Sequence, residues 1–180
     1  MTESANESAC RGCGVVLPDS DGPRHPYMLG SAACWARFGE LLAGQYSDPQ
    51  RMAFQQLVVD AYAVQHPGTP EDPRAVQSVA IHLMTLQLFL EEDEDPAAGP
   101  ALHKRMVERP VFSPLFAPVD RGRLTVASVP LDGSTTKIRL AAWAWAAEAW
   151  QAWAPHHETV RIWTAESGLS HRVRARPPVA

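Results

Sequence analysis

Apolar positions recur at helical spacing along most of the chain, and Pro and Gly clusters cut the pattern into segments. Ser31 is placed to cap a helix running to about Tyr46, with Trp35, Phe38, Leu41 and Leu42 on one face. Asp48-Pro49 opens a second helix, in which Phe54, Leu57, Val58, Ala61, Tyr62 and Val64 form a broad apolar surface. That helix must stop near His66, because Pro67 disfavours the α region in the residue before it. Asp72-Pro73 restarts the chain as a third helix reaching about Glu92, apolar on nearly every side and so predicted for the centre of a bundle. A shorter helix is expected over 97–109, with Leu102, Met106 and Val107 inward and His103 exposed. From about Ser134 a Trp-rich helix begins, and Pro155 kinks or restarts it before Val160 and Trp163.

The fold class expected is therefore mainly α: a bundle of about five helices preceded by an irregular N-terminal loop. Residues 1–9 read as a disordered N-terminus, 10–166 as one helical domain with 10–34 a metal-binding loop docked on the bundle, and 167–180 as a flexible basic tail. Leu124 to Val129 fits a short strand or a brief helical turn, and the pattern leaves both open.

Polar residues interrupt the oily interior in one region, 59–83, where Asp60, Tyr62, Gln65, His66, Gln77, Ser78 and His82 stand among apolar neighbours. Such groups need partners or a ligand, since a dry, unpaired polar group costs roughly 1–3 kcal/mol. Ser78, His82 and Thr85 form a polar stripe on the third helix, and His157 continues the inward Trp stripe. His66, His82 and His157, with His156 beside the last, are candidates for one metal or polar pocket in which Asp60 and Gln65 would serve as catalytic or orienting residues. The ordinary alternative is a set of buried imidazoles, each bonded to a backbone carbonyl, and an Asp60 paired with Arg74 or Arg161.

The cysteines add a second chemistry. Cys10-Arg11-Gly12-Cys13-Gly14 is the turn that points two thiolates at one metal ion, and zinc wants four donors in a tetrahedron. Cys34 is the remaining thiol and His25 lies between, so Cys10, Cys13, His25 and Cys34 are the expected structural zinc site. A redox dithiol and free thiols in a mobile arm are the alternatives.

Charge changes the picture little. The first hundred residues carry five Arg against fourteen Asp and Glu, the remainder eleven Lys and Arg against six, without the dense basic run that nucleic-acid binding requires. The N-terminus lacks a secretory pattern and no window reads as a membrane span, which points to a cytoplasmic protein. Phosphate loops, His-Glu-x-x-His and Gly-x-Ser-x-Gly are missing.

Several stretches taken together, namely Cys10-Arg11-Gly12-Cys13-Gly14, His25-Pro26-Tyr27, Cys34-Trp35, 60–68, Gln77-Ser78 with His82-Leu83, and 153–157, resemble an uncharacterised bacterial family of unknown function, number 5946. The resemblance runs from about Cys10 to Trp163, implies a complete small protein of that family, and brings no activity with it. At the level of architecture only, the chain is also similar to helical-bundle enzymes with a three-His metal site that transfer thiols or hydrolyse small adducts. The functional expectation is a zinc-binding helical bundle with a His-lined small-molecule site, of hydrolase or transferase type. The alternative is a non-enzymatic, zinc-stabilised module for regulation or protein interaction.

Overall fold

The structure is a computed structural model, and it describes residues 6–108 and 112–170. It is mainly α-helical. Strands β1 (Glu7–Ala9) and β2 (Val16–Pro18) form a small antiparallel ribbon, and helices α1 (Ala32–Tyr46), α2 (Pro49–Met52), α3 (Gln55–Gln65), α4 (Pro73–Glu91), α5 (Gly99–Met106), α6 (Thr135–Ala152) and α7 (His157–Glu166) follow.

The helix starts are those that capping chemistry dictates. The side chains of Ser31, Asp48, Asp72 and Ser134 accept from Cys34 N, Gln50 N, Arg74 N and Lys137 N, and Pro49 and Pro73 sit where a missing N–H does no harm. Two features depart from the expected pattern. The helix expected from Asp48 to His66 breaks at Ala53 and Phe54, so Phe54 turns into the core between α2 and α3. Residues 7–9, expected to be disordered, pair with β2, and Ser8 Oγ donates to Asp19 at 2.5 Å. Leu124 to Val129 takes the helical option, a single 3₁₀ turn over Val126–Ser128 closed by a Thr125/Ser128 capping box. The basic tail lies outside the described residues beyond Ser170, and before it Leu169 is buried and Ser170 Oγ bonds Glu92.

Helix α3 is the axis of the core, packed between α4 on one side and α6 on the other, and only Gln55 and Val59 of its residues escape full burial. Leu57, Val58, Ala61, Val64, Leu83, Leu86, Trp145 and Trp153 are all essentially inaccessible, each large side chain contributing about 1.5–3 kcal/mol by leaving water. The two innermost tryptophans are tied to the end of α3, Trp145 Nε1 donating to Gln65 Oε1 at 2.8 Å and Trp153 Nε1 to Val64 O at 3.1 Å. Pro155 interrupts the Trp-rich helix at a 3₁₀ turn, and α7 returns against α4. No described helix is long and apolar enough to cross a membrane.

Candidate metal centre

Helix α3 carries one chemical group near its middle and another at its C-terminal end. Asp60 and His66 are six residues apart, about 9 Å along the axis and on different faces. Each gathers its own partners.

At the end of α3, His66 meets Cys10, Cys13 and Cys34, all four buried and with their donor atoms within 4.8 Å of one another. The N-terminal turn brings two of the sulfurs. Gly14 N donates to Cys10 O at 2.9 Å and Cys10 N to Val15 O at 2.8 Å, with Gly14 at φ 77° where a side chain would be strained. Cys34 comes from the first turn of α1, and Ser31 N, just before that helix, donates to Cys10 Sγ at 3.4 Å. The helix end supplies the imidazole because Pro67 stops α3 where it does.

The separations fit an ion. Zinc–sulfur bonds of about 2.3 Å and zinc–nitrogen bonds of about 2.0 Å give tetrahedron edges of about 3.8 Å between sulfurs and about 3.5 Å between sulfur and nitrogen. Cys13 Sγ lies 3.8 Å from Cys34 Sγ, and Cys34 Sγ lies 3.3 Å from His66 Nε2. The other ring nitrogen, Nδ1, donates to Tyr62 O at 2.6 Å, which fixes the tautomer and leaves the Nε2 lone pair aimed at the sulfurs. The ring itself is stacked on Tyr62 at 3.9 Å, and Tyr62 is stacked on Phe38 at 4.0 Å. Hydrogen bonding with Cys13 and then Cys34 drives the Cys10 thiol far below its ordinary value, while contact with Cys10 raises both Cys13 and Cys34. Cys10 is thus the thiol that ionises most readily.

Arg121 stands beside this charge. Its Nη1 donates to Gly12 O at 2.7 Å and more weakly to Arg11 O and Gln65 O, so a guanidinium from the irregular segment clamps the cysteine turn to the end of α3. Burial pulls the Arg121 pKa down, and the charge on Cys10 and Cys13 works against that pull.

His25 is not one of the four. Its ring packs edge-on against Tyr27 and Trp35, and Nδ1 accepts from Tyr27 N at 3.5 Å. The place that sequence spacing offers to His25 is filled by His66, which the helix end delivers directly onto Cys34. His66 is correspondingly absent from any pocket with His82 and His157. His157 stacks flat on Trp150 at 3.7 Å and donates from Nε2 to Trp150 O, and His156 donates from Nε2 to Phe116 O, each at 2.9 Å. Gln65 is fully engaged, donating to Arg121 O and Leu124 O at 2.8 Å each and accepting from Trp145. It is a buried tie between α3, α6 and the irregular segment. Arg74 pairs with Asp72 and Arg161 with Glu91, so neither serves Asp60.

Asp60 forms the second group with His82 of α4 and His103 of α5. His82 Nδ1 lies 2.6 Å and His103 Nε2 3.3 Å from Asp60 Oδ1, and Gln56 Nε2 donates to the same oxygen at 2.7 Å. Burial alone would raise the Asp60 carboxyl, but the bonds from His103 and His82 overcome it and hold the group below its usual range. Burial lowers the His82 imidazole, and Asp60 partly offsets that. His103 was expected to face solvent. It shares the inward face of α5 instead, one residue beyond buried Leu102 and one turn before buried Met106, and that spacing was the available signal.

A family model described as "Family of unknown function (DUF5946)" covers residues 8–154. The chain belongs to this family. The matched span takes in Cys10, Cys13, Cys34, His66, Asp60, His82 and His103. No curated protein and no solved structure matches the chain.

Proposed function

We propose that this family member is a zinc-stabilised helical protein in which Cys10, Cys13, Cys34 and His66 hold one structural zinc ion. The observation that carries the reading is the closed set of four buried donors with tetrahedral spacing, 3.8 Å between two sulfurs and 3.3 Å from sulfur to imidazole. Four protein ligands leave no position for water or substrate, so the ion's role is to order the chain. It joins three segments: the cysteine turn, the start of α1 and the end of α3. Three reduced thiols in one site fit a reducing compartment such as the cytoplasm. The function this supports is that of a metal-ordered regulatory or interaction module, and no hydrolytic or transfer chemistry is assigned to this ion.

Elemental analysis of the purified full-length protein tests it. One zinc per chain is expected, lost in Cys13→Ser and His66→Ala and kept in His25→Ala. A metal-free wild-type protein with an unchanged melting temperature would overturn the reading, as would loss of zinc in His25→Ala with retention in His66→Ala.

A further inference from the structure

We infer that Asp60, His82 and His103 form a second, separate site for a first-row divalent transition-metal ion, bound through the Asp60 carboxylate and two imidazole nitrogens. Three independent helices aim their donors at one point, with all three ligand atoms within 4.8 Å of one another. Two histidines and one carboxylate are a donor set that zinc, iron(II) and their neighbours accept, and it leaves positions open for water or a ligand, unlike the thiolate site.

The hydrogen bonding around Asp60 is lopsided in a way that an ion explains. His82, His103 and Gln56 all converge on Oδ1, while Oδ2 is buried without a hydrogen-bond partner among the described residues. The residue is completely inaccessible, which closes that oxygen off from bulk solvent. A carboxylate designed only to pair with imidazoles would divide the donors between its two oxygens. A cation adjoining both oxygens and both rings uses the whole group.

The distances require little adjustment. Metal–nitrogen and metal–oxygen bonds of about 2.0–2.2 Å set ligand atoms about 3.3 Å apart in a tetrahedron. His103 Nε2 is already 3.3 Å from Asp60 Oδ1, and the His82 contact at 2.6 Å opens by roughly 0.7 Å to reach the same value. Gln56 orients the carboxylate. On binding, His103 Nε2 exchanges its 3.1 Å contact with the Thr85 hydroxyl for the ion, and that hydroxyl keeps its bonds to Ile81 O and His82 O. Gly99 makes the approach of α5 feasible, since a Cβ there would stand 2.1 Å from Gln56 Cγ. The inference is independent of the thiolate site, whose ligands share no atom with this one.

Cobalt(II) alone is the probe, added to the full-length protein with its zinc content measured beforehand. Uptake of one further equivalent per chain is expected, with the weak visible absorption of nitrogen and oxygen ligation and no thiolate-to-cobalt band in the near ultraviolet. His103→Gln should weaken that uptake by more than the roughly 10–100-fold that loss of an outer partner costs, with helicity by circular dichroism unchanged. Wild-type protein that takes up no second equivalent overturns the inference, whatever the variants do. So does uptake seen only as a thiolate band, which is exchange into the cysteine site, or uptake indifferent to His103→Gln.

Discussion

Gly12 lies against the ring of His66 so closely that a Cβ at residue 12 would stand 2.2 Å from His66 Cδ2 and 2.5 Å from Leu29 O. The middle of the Cys-x-x-Cys turn is thus the surface on which the imidazole rests, and the absence of a side chain there lets His66 reach the sulfurs. Gly12→Ala should force either the turn or the ring aside. The expected cost is about 1–3 kcal/mol of stability, the range for overpacking a close-fitting contact. Zinc affinity should fall with it, read by competition with a chromophoric chelator. An alanine variant with wild-type affinity and melting temperature would show that the contact is slack.

Arg121 should matter to the metal although it is not a ligand. Its guanidinium holds Gly12 O and lies near the charge on Cys10 and Cys13. A Cys3His zinc site carries a net negative charge, and a partly buried cation beside it lowers the cost of keeping that charge from water. Arg121→Gln is expected to weaken zinc binding by roughly 10–100-fold, the usual effect of removing an outer partner, while leaving one zinc per chain at saturation. Arg121→Lys should recover only part of the loss, because an ammonium holding Gly12 O has no second nitrogen for Pro118 O, which Arg121 Nε reaches at 3.2 Å.

Gln65 was a candidate for chemistry, and its surroundings give it a different role. Its amide spends both donors on backbone carbonyls and its oxygen on the Trp145 indole. Gln65→Leu keeps the volume and strands one N–H and two C=O groups in the interior. At about 1–3 kcal/mol for each group left dry, a loss of at least roughly 2 kcal/mol is expected in urea unfolding. A loss under about 0.5 kcal/mol, the scale of an ordinary surface substitution, would mean that water replaces the amide.

The helices were legible because their signals are local. Ser31, Asp72 and Pro73 announce starts, and Pro67 announces a stop, by chemistry that acts within one turn of chain. The break at Ala53 carries no Gly or Pro, and it follows from the core's demand for Phe54, which no local signal records. The ligand grouping was legible in part. Cys10, Cys13 and Cys34 could be brought together from residue type and spacing, but choosing between His25 and His66 requires knowing which helix end abuts α1. Sequence proximity favoured His25, and packing delivered His66 from thirty-two residues beyond Cys34. His103 was missed for the opposite reason. Its position between Leu102 and Met106 was informative, but a short helix with a basic surface reads as solvated until its neighbours are known.

The pair Glu91 and Arg161 ties the end of α4 to α7, with Nε and Nη2 donating to the two carboxylate oxygens at 2.8 and 2.7 Å. The Arg161 hydrogen bonds hold the Glu91 carboxyl below its ordinary value against the opposing effect of burial. A carboxyl depressed in the folded state binds its proton more readily when unfolded. Its contribution is therefore complete above the unfolded pKa of about 4.3 and is lost as pH falls through the lower folded value. Because Arg161 is 47% exposed, solvent and salt screen the pair, and its worth should be no more than about 0.5–1 kcal/mol at low ionic strength. Urea unfolding of wild type and Arg161→Ala should differ by that amount at neutral pH, converge below the folded Glu91 pKa, and converge at neutral pH in molar salt. A difference that persists unchanged in acid would assign the effect to the packing of the Arg161 stem rather than to its charge.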